Sequence, residues 1–164
     1  MVAALALLVA ACYPELDWRE VTSPGGGYSV LMPAAPETAT RDVRLGGVTL
    51  AMSMTSARKD GMAFGVAYAE IPAGGHGDLL AAARDALVRN IDGRITADRE
   101  IAIDGAAGRE FHAEGAAGGR GLRLAARVFI AGRRFYQVAF VGQPDRIAQA
   151  DLDLFLGSFR VLPK

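Results

Sequence analysis

From Trp18 onward, apolar and polar residues alternate with a period of two in run after run. Short clusters of glycine, proline and aspartate separate the runs, a pattern that predicts strands joined by tight turns. Tyr28 to Met32 reads as a short strand stopped by Pro33 and Pro36, because proline cannot donate to a ladder. A strand around Arg41 to Leu45 meets Gly46-Gly47, a two-residue hairpin signal, and the next strand carries Val48, Leu50, Met52 and Met54 on one face. After Lys59-Asp60-Gly61, Met62, Phe64, Val66 and Tyr68 alternate with Ala63, Gly65, Ala67 and Ala69, so one face is bulky and the other flat enough for a helix to approach closely.

That helix comes next. Asp78 is a good N-cap, and Leu79, Leu80, Ala83, Leu87 and Ile91 follow at helical spacing up to about Asn90, with Gly93 as the stop. Ile95 to Ile103 and Arg109 to Glu114 read as strands about an Asp104-Gly105 turn, and Gly115 to Gly121 as a glycine-rich loop. In the following hairpin a three-residue loop, Ile130-Ala131-Gly132, sets Val128 opposite Arg134, Ala126 opposite Tyr136 and Leu124 opposite Val138. A second helix is expected from Pro144 to about Leu156, with Ile147, Asp151, Leu154 and Phe155 near one face, and a closing strand over Phe159 to Leu162. The predicted class is α+β, an antiparallel β-sheet flanked by helices. No internal repeat or linker divides it.

The first eleven residues, Met1 to Ala11, are all apolar and lead straight into Cys12. A membrane span needs about 20 apolar residues, whereas a signal-peptide core needs about 7–15. The run therefore reads as an export signal. Val9-Ala10-Ala11-Cys12 resembles the lipobox of bacterial lipoproteins, although no Lys or Arg precedes Cys12. The resemblance implies cleavage before Cys12 and acylation of its thiol; about 0.8 kcal/mol per buried CH₂ makes two or more chains a stable anchor. The division expected is residues 1–11 as signal, 12–20 as lipidated tether and 21–164 as domain. The competing reading buries the apolar run in the domain with Cys12 as a core thiol.

Tyr28-Ser29-Val30-Leu31-Met32-Pro33 with Pro36 resembles the aromatic-Ser-Val-x-x-Pro-x-x-Pro opening of bacterial lipoproteins of the PsbP-like superfamily, the DcrB-like ones among them. Phe155 followed by Ser158-Phe159 is similar to their closing helix and strand. The order of elements from Trp18 to Leu162 agrees. What the resemblance implies is an α/β/α sandwich and a tendency to bind proteins rather than to catalyse. It brings no site residues with it.

Composition narrows the function further. With 164 residues the chain has room for one domain, and 18 basic against 18 acidic residues leave no net field to attract nucleic acid. A single Cys excludes a disulfide scaffold and a cysteine-rich zinc module. There is no Gly-x-Ser-x-Gly elbow and no phosphate loop, so no enzyme class and no cofactor is implied. His76 lies far from His112, and His76-Gly77-Asp78 opens a helix whose N-terminus could receive an anion, although Asp78 as cap fills that position more simply.

The strongest local signal is charge. Between Gly115 and Pro144 stand five arginines, Arg120, Arg123, Arg127, Arg133 and Arg134, and no acid. If Ala113 pairs with Leu122, His112 lies opposite Arg123 with Glu110 and Glu114 beside it, and the hairpin register brings Arg127 against Phe135 for a cation–π contact. Glu110, His112 and Glu114 could also hold zinc, against the simpler reading of a solvated polar strand face. His112, Arg123, Arg127 and Phe135 are thus the candidate contact residues for an acidic partner or lipid headgroups. The expectation is an envelope protein, facing the periplasm or the cell exterior, that meets the membrane through Cys12 and a protein partner through this face. The alternative, carriage of a small apolar ligand, rests on Met32, Met52, Met54 and Met62, for which core filling is the simpler role.

Overall fold

The computed structural model describes residues 15–74 and 78–163. A first hairpin, β1 (Arg19–Ser23) and β2 (Tyr28–Met32), is followed by β3 (Glu37–Leu45), β4 (Val48–Lys59), β5 (Met62–Glu70) and helix α1 (Leu79–Arg89). Then come β6 (Arg94–Ile103), β7 (Ala106–Ala117), β8 (Arg120–Ala131), β9 (Arg134–Gly142), a 3₁₀ turn over Pro144–Arg146, α2 (Gln149–Ser158) and β10 (Arg160–Val161). Seven strands form one antiparallel sheet in the order β3-β4-β5-β9-β8-β7-β6, and β1-β2-β10 form a second, smaller sheet.

Tight turns set the registers. Asp60-Gly61, Asp104-Gly105, Gly46-Gly47 and Gly118-Gly119 each place two successive residues at positive φ, the requirement of a type I′ hairpin. The loop expected over Gly115 to Gly121 is therefore mostly strand, with Ala117 paired to Arg120 across the turn. The β8–β9 connection corrects a second expectation. It has two residues, Gly132-Arg133, and sets Phe129 opposite Tyr136, Arg127 opposite Val138 and Leu124 opposite Val141. Relative to the expected register the shift is odd, and an odd shift carries every side chain of β9 to the other face.

Both faces of the large sheet are covered. Helix α1 packs Leu79, Ala83 and Val88 over Ala67, Ala69, Phe111, Leu124, Ala126 and Phe135. The flat face of β5 does admit a helix, as its alanines predict. Asp78 caps α1 by accepting from the Ala81 N–H at 3.0 Å. Its exit is turned by Asp92, at φ 46°, and not by Gly93; the Gly93 N–H returns to the Val88 carbonyl at 2.9 Å.

On the opposite face, α2 and the small sheet enclose Phe64, Val66, Phe129, Tyr136, Val138 and Phe140. The second helix is not continuous from Pro144. Ile147 and Ala148 are extended, because Ile147 turns inward and is buried, and α2 starts afresh at Gln149. Restarting resets the helical phase, so Leu152, Phe155 and Leu156 are buried while Leu154 is exposed. Residues 16–20, expected to belong to a tether, already join the fold: the Asp17 N–H bonds the Pro33 carbonyl at 3.0 Å and Trp18 meets Phe64 edge-on at 6.2 Å. Cys12 and the rest of the apolar run lie outside the described residues.

One close approach is testable. The Ile91 carbonyl accepts from the Ala116 N–H at 2.8 Å, and a Cβ on Gly115 would stand 2.1 Å from that same oxygen. Gly115→Ala should lower stability by about 1–3 kcal/mol, the usual cost of overpacking. Urea unfolding would register it as a lower midpoint at constant slope, and an unchanged midpoint would mean that the exit of α1 can move off β7.

Candidate functional site

Residues two apart on a strand share a face, so β7 presents Glu110, His112 and Glu114 to the side covered by α2. The β7–β8 register places Glu110 opposite Arg127, His112 opposite Ala125 and Glu114 opposite Arg123. This differs by two residues from the expected pairing of Ala113 with Leu122. An even shift keeps the face and changes the partners.

Two rows of charge cross the strands. In the first, Glu110 is buried, with 7% of its side chain exposed, between Arg99 of β6 and Arg127 of β8. Arg99 Nε donates to Oε1 at 3.0 Å and Arg127 Nε to Oε2 at 2.6 Å. Arg127 also donates through Nη1 to the Leu156 carbonyl at 2.8 Å, which ties the end of α2 to the sheet. Burial works to raise the Glu110 pKa, but the hydrogen bonds and charges of Arg99 and Arg127 outweigh it and hold the carboxyl below its ordinary value of 4.5. Glu110 is therefore a carboxylate with both oxygens occupied.

The second row is exposed. Arg94 donates to Glu114 at 3.0 Å, and Arg123 reaches across to Gln149 Oε1 of α2 at 2.8 Å. Between the rows sits His112, its Nε2 3.8 Å from Glu110 Oε1. Burial and then the Arg123 charge lower its pKa, so the imidazole is neutral at pH 7. At Thr96 the β6–β7 register slips by one residue. Such a bulge bends the strand and increases its twist, and here it borders an open cleft of about 350 Å³ lined by Thr96, Ala97, His112, Glu114, Arg123 and Pro144.

The structure thus brings His112, Arg123 and Arg127 onto one face and removes Phe135 from it. Phe135 is fully buried on the α1 side, so the expected Arg127–Phe135 contact does not form; Arg127 faces Val138. The surplus of positive charge is also smaller than five arginines suggest. Arg134 bonds Glu70 at 2.6 Å and the Gly26 carbonyl at 2.7 Å and lies over the Tyr68 ring, while Arg133 donates to the Ile71 carbonyl at 3.3 Å. With Glu110 committed to two guanidinium groups, a zinc site at Glu110, His112 and Glu114 loses its first ligand, and no metal-binding cluster occurs among the described residues. His76 lies outside them.

A second ionic bridge escaped the sequence reading. On the α1 face Asp98 receives Arg84 of the helix at 2.8 Å and Arg109 of β7 at 2.9 Å. Its sequence signal was weak: an arginine within the helical run and a carboxylate on an edge strand, neither of which falls in a motif.

Comparison with known proteins adds the fold. The solution structure of cyanobacterial PsbP (CyanoP) from Synechocystis sp. PCC 6803 superimposes with a TM-score of 0.60 at 15% identity, covering 98% of both chains. A Pseudomonas aeruginosa protein of unknown function gives 0.41 at 10% identity, over 79% of this chain and 85% of its own. No family model matches the sequence, and no curated protein does so significantly. The chain has a PsbP-like fold.

Replacing Glu110 by Gln should cost about 2 kcal/mol at pH 7, since two charge-assisted bonds weaken and a guanidinium under α2 loses its counter-charge. The folded-state pKa is depressed, so the carboxylate's contribution is complete above its ordinary 4.5 and disappears as pH falls through the lower folded value. Unfolding measured at pH 7 and at pH 3 should therefore show a gap between the wild type and Glu110→Gln that narrows on acidification.

Proposed function

From the PsbP-like fold as premise, we propose that the chain is a non-catalytic binding or accessory module of the bacterial envelope, held to a membrane through lipidated Cys12. Its partner is a protein that docks on the α2 face of β6–β8, with His112, Glu114 and Arg123 at the contact. The observation that carries this reading is the open cleft beside the Thr96 bulge, where a half-buried neutral imidazole, a carboxylate and a guanidinium stand together. Mixed polar groups of this kind suit the rim of a protein interface, where a few directional bonds set the register of the partner. Arg127 is not at the contact. It works inward, on Glu110 and Leu156.

Apolar carriage loses its particular support. Met32 and Met62 fill one core and Met52 the other, each no more than 4% exposed, half-buried Met54 packs against the second, and none of the described clefts is lined by any of the four.

Two measurements test the reading. Arg123→Ala, which removes the hydrogen bond to Gln149 Oε1 across the cleft, should leave the domain folded and release the co-purifying envelope protein; retention of the same partners would overturn the contact assignment. Mass analysis of the mature chain from its native host should find an acylated Cys12 at the N-terminus. An unmodified Met1 would refute the anchor while leaving the docking face standing.

A further inference from the structure

The large sheet has two edge strands, and they differ. β6 is broken by the Thr96 bulge, and its Arg94, Asp98 and Arg99 are all paired within the chain. Bulges, and charges that a second strand would leave unmatched, keep an edge from recruiting another strand. β3 has no bulge, and a second copy of itself can match its charges. It runs nine residues without bulge or proline, Glu37 through Asp42 are exposed, and its charged side chains form no ion pair among the described residues.

The Gly46-Gly47 turn fixes which backbone groups are open. In a two-residue hairpin the flanking residues, here Leu45 and Val48, exchange both hydrogen bonds, and bonded and non-bonded pairs then alternate along the ladder. Val43, Arg41, Ala39 and Glu37 therefore bond to β4. The N–H and C=O groups of Thr38, Thr40, Asp42 and Arg44 point away from the sheet.

We propose that this edge pairs with the same edge of a second copy, antiparallel about a two-fold axis at Ala39, joining two seven-stranded sheets into one. Charge selects the register. Centred on Ala39, Glu37 lies directly opposite Arg41 of the second copy, twice by symmetry, and Thr38 opposite Thr40 in the hydrogen-bonded positions. Centring on Arg41 or on Asp42 opposes like charges, and centring on Thr40 pairs no charges. Centring on Val43 pairs Asp42 with Arg44 but sets Arg41 against Leu45, which is buried under α1. A two-fold axis normal to the sheet also leaves both α1 helices on one side and both α2 helices on the other. Opposite charges and threonine pairs directly across an antiparallel ladder are favourable; like charges are not. This pairing is independent of the cleft beside β6.

Sedimentation equilibrium on the full chain tests it. The wild type should self-associate reversibly and more weakly at high salt. Glu37→Arg or Arg41→Glu alone should each weaken association at least about tenfold. An equimolar mixture of the two single variants should associate again as a heterodimer, and so should the double variant with itself. In a Cys12→Ser background, Ala39→Cys should give a disulfide-linked dimer, since the two Ala39 positions face each other as a close, non-hydrogen-bonded pair about 4.5 Å apart at Cα. A wild type that stays monomeric, or association untouched by either charge reversal, would overturn the proposal; association through the apolar N-terminal run would give the second result.

Discussion

The middle of the large sheet cannot face water on either side. Leu124, Ala126 and Val128 of β8 lie on one surface and Ala125 and Phe129 on the other, all fully buried. β9 repeats this with Phe135 against Tyr136, Val138 and Phe140. A large apolar side chain kept from water contributes about 1.5–3 kcal/mol, so neither surface can be left open. The rest of the chain is arranged to meet that demand. The α1 helix takes the shallow surface lined with alanines, and α2 with the small sheet takes the surface lined with rings. On each side a carboxylate between two guanidinium groups fastens the cover at its edge: Asp98 with Arg84 and Arg109 beneath α1, Glu110 with Arg99 and Arg127 beside α2.

The two short motifs that suggest the fold family acquire a physical meaning in this arrangement. Tyr28 stacks on Phe159 at 5.4 Å. Ser158 Oγ accepts from the Leu31 N–H at 2.9 Å and donates to the Phe155 carbonyl at 2.8 Å. The opening strand and the closing helix and strand are thus one packing unit made from opposite ends of the domain. Here a serine hydroxyl reaches a strand backbone beside two stacked rings. The similarity to PsbP in solution is one of overall fold.

Strands, turns and the first helix were legible because each is written in local chemistry: alternation, paired positive-φ residues, a capping aspartate. The candidate site was less legible, because its composition depends on register. A single unanticipated two-residue turn at Gly132-Arg133 moved Phe135 to the far side of the sheet, away from Arg127, and a two-residue slip between β7 and β8 set Arg127 opposite Glu110 and gave Arg123 Glu114 in place of His112. Whether an arginine is free or committed is likewise invisible in the chain, since Arg134 finds its acceptors at Glu70 and Gly26. The break at Ile147 was hidden for a related reason: a buried isoleucine can end a helix only where a core lies within its reach.

The small sheet holds the two ends of the fold side by side, with β1 and β10 flanking β2. The two are fastened differently. β10 is short, but its Val161 N–H is held by Asp104 and the Leu162 N–H by the Gly27 carbonyl. β1 is bound through a ladder that begins with Arg19 opposite Met32 at its open end. Tension applied to the N-terminal side would load that ladder one rung at a time, as a zipper is opened, and not all rungs at once. Once Trp18 has left Phe64, β1 is a compliant element of five residues, able to pay out about 17 Å of chain at 3.3–3.4 Å per residue before the load reaches β2.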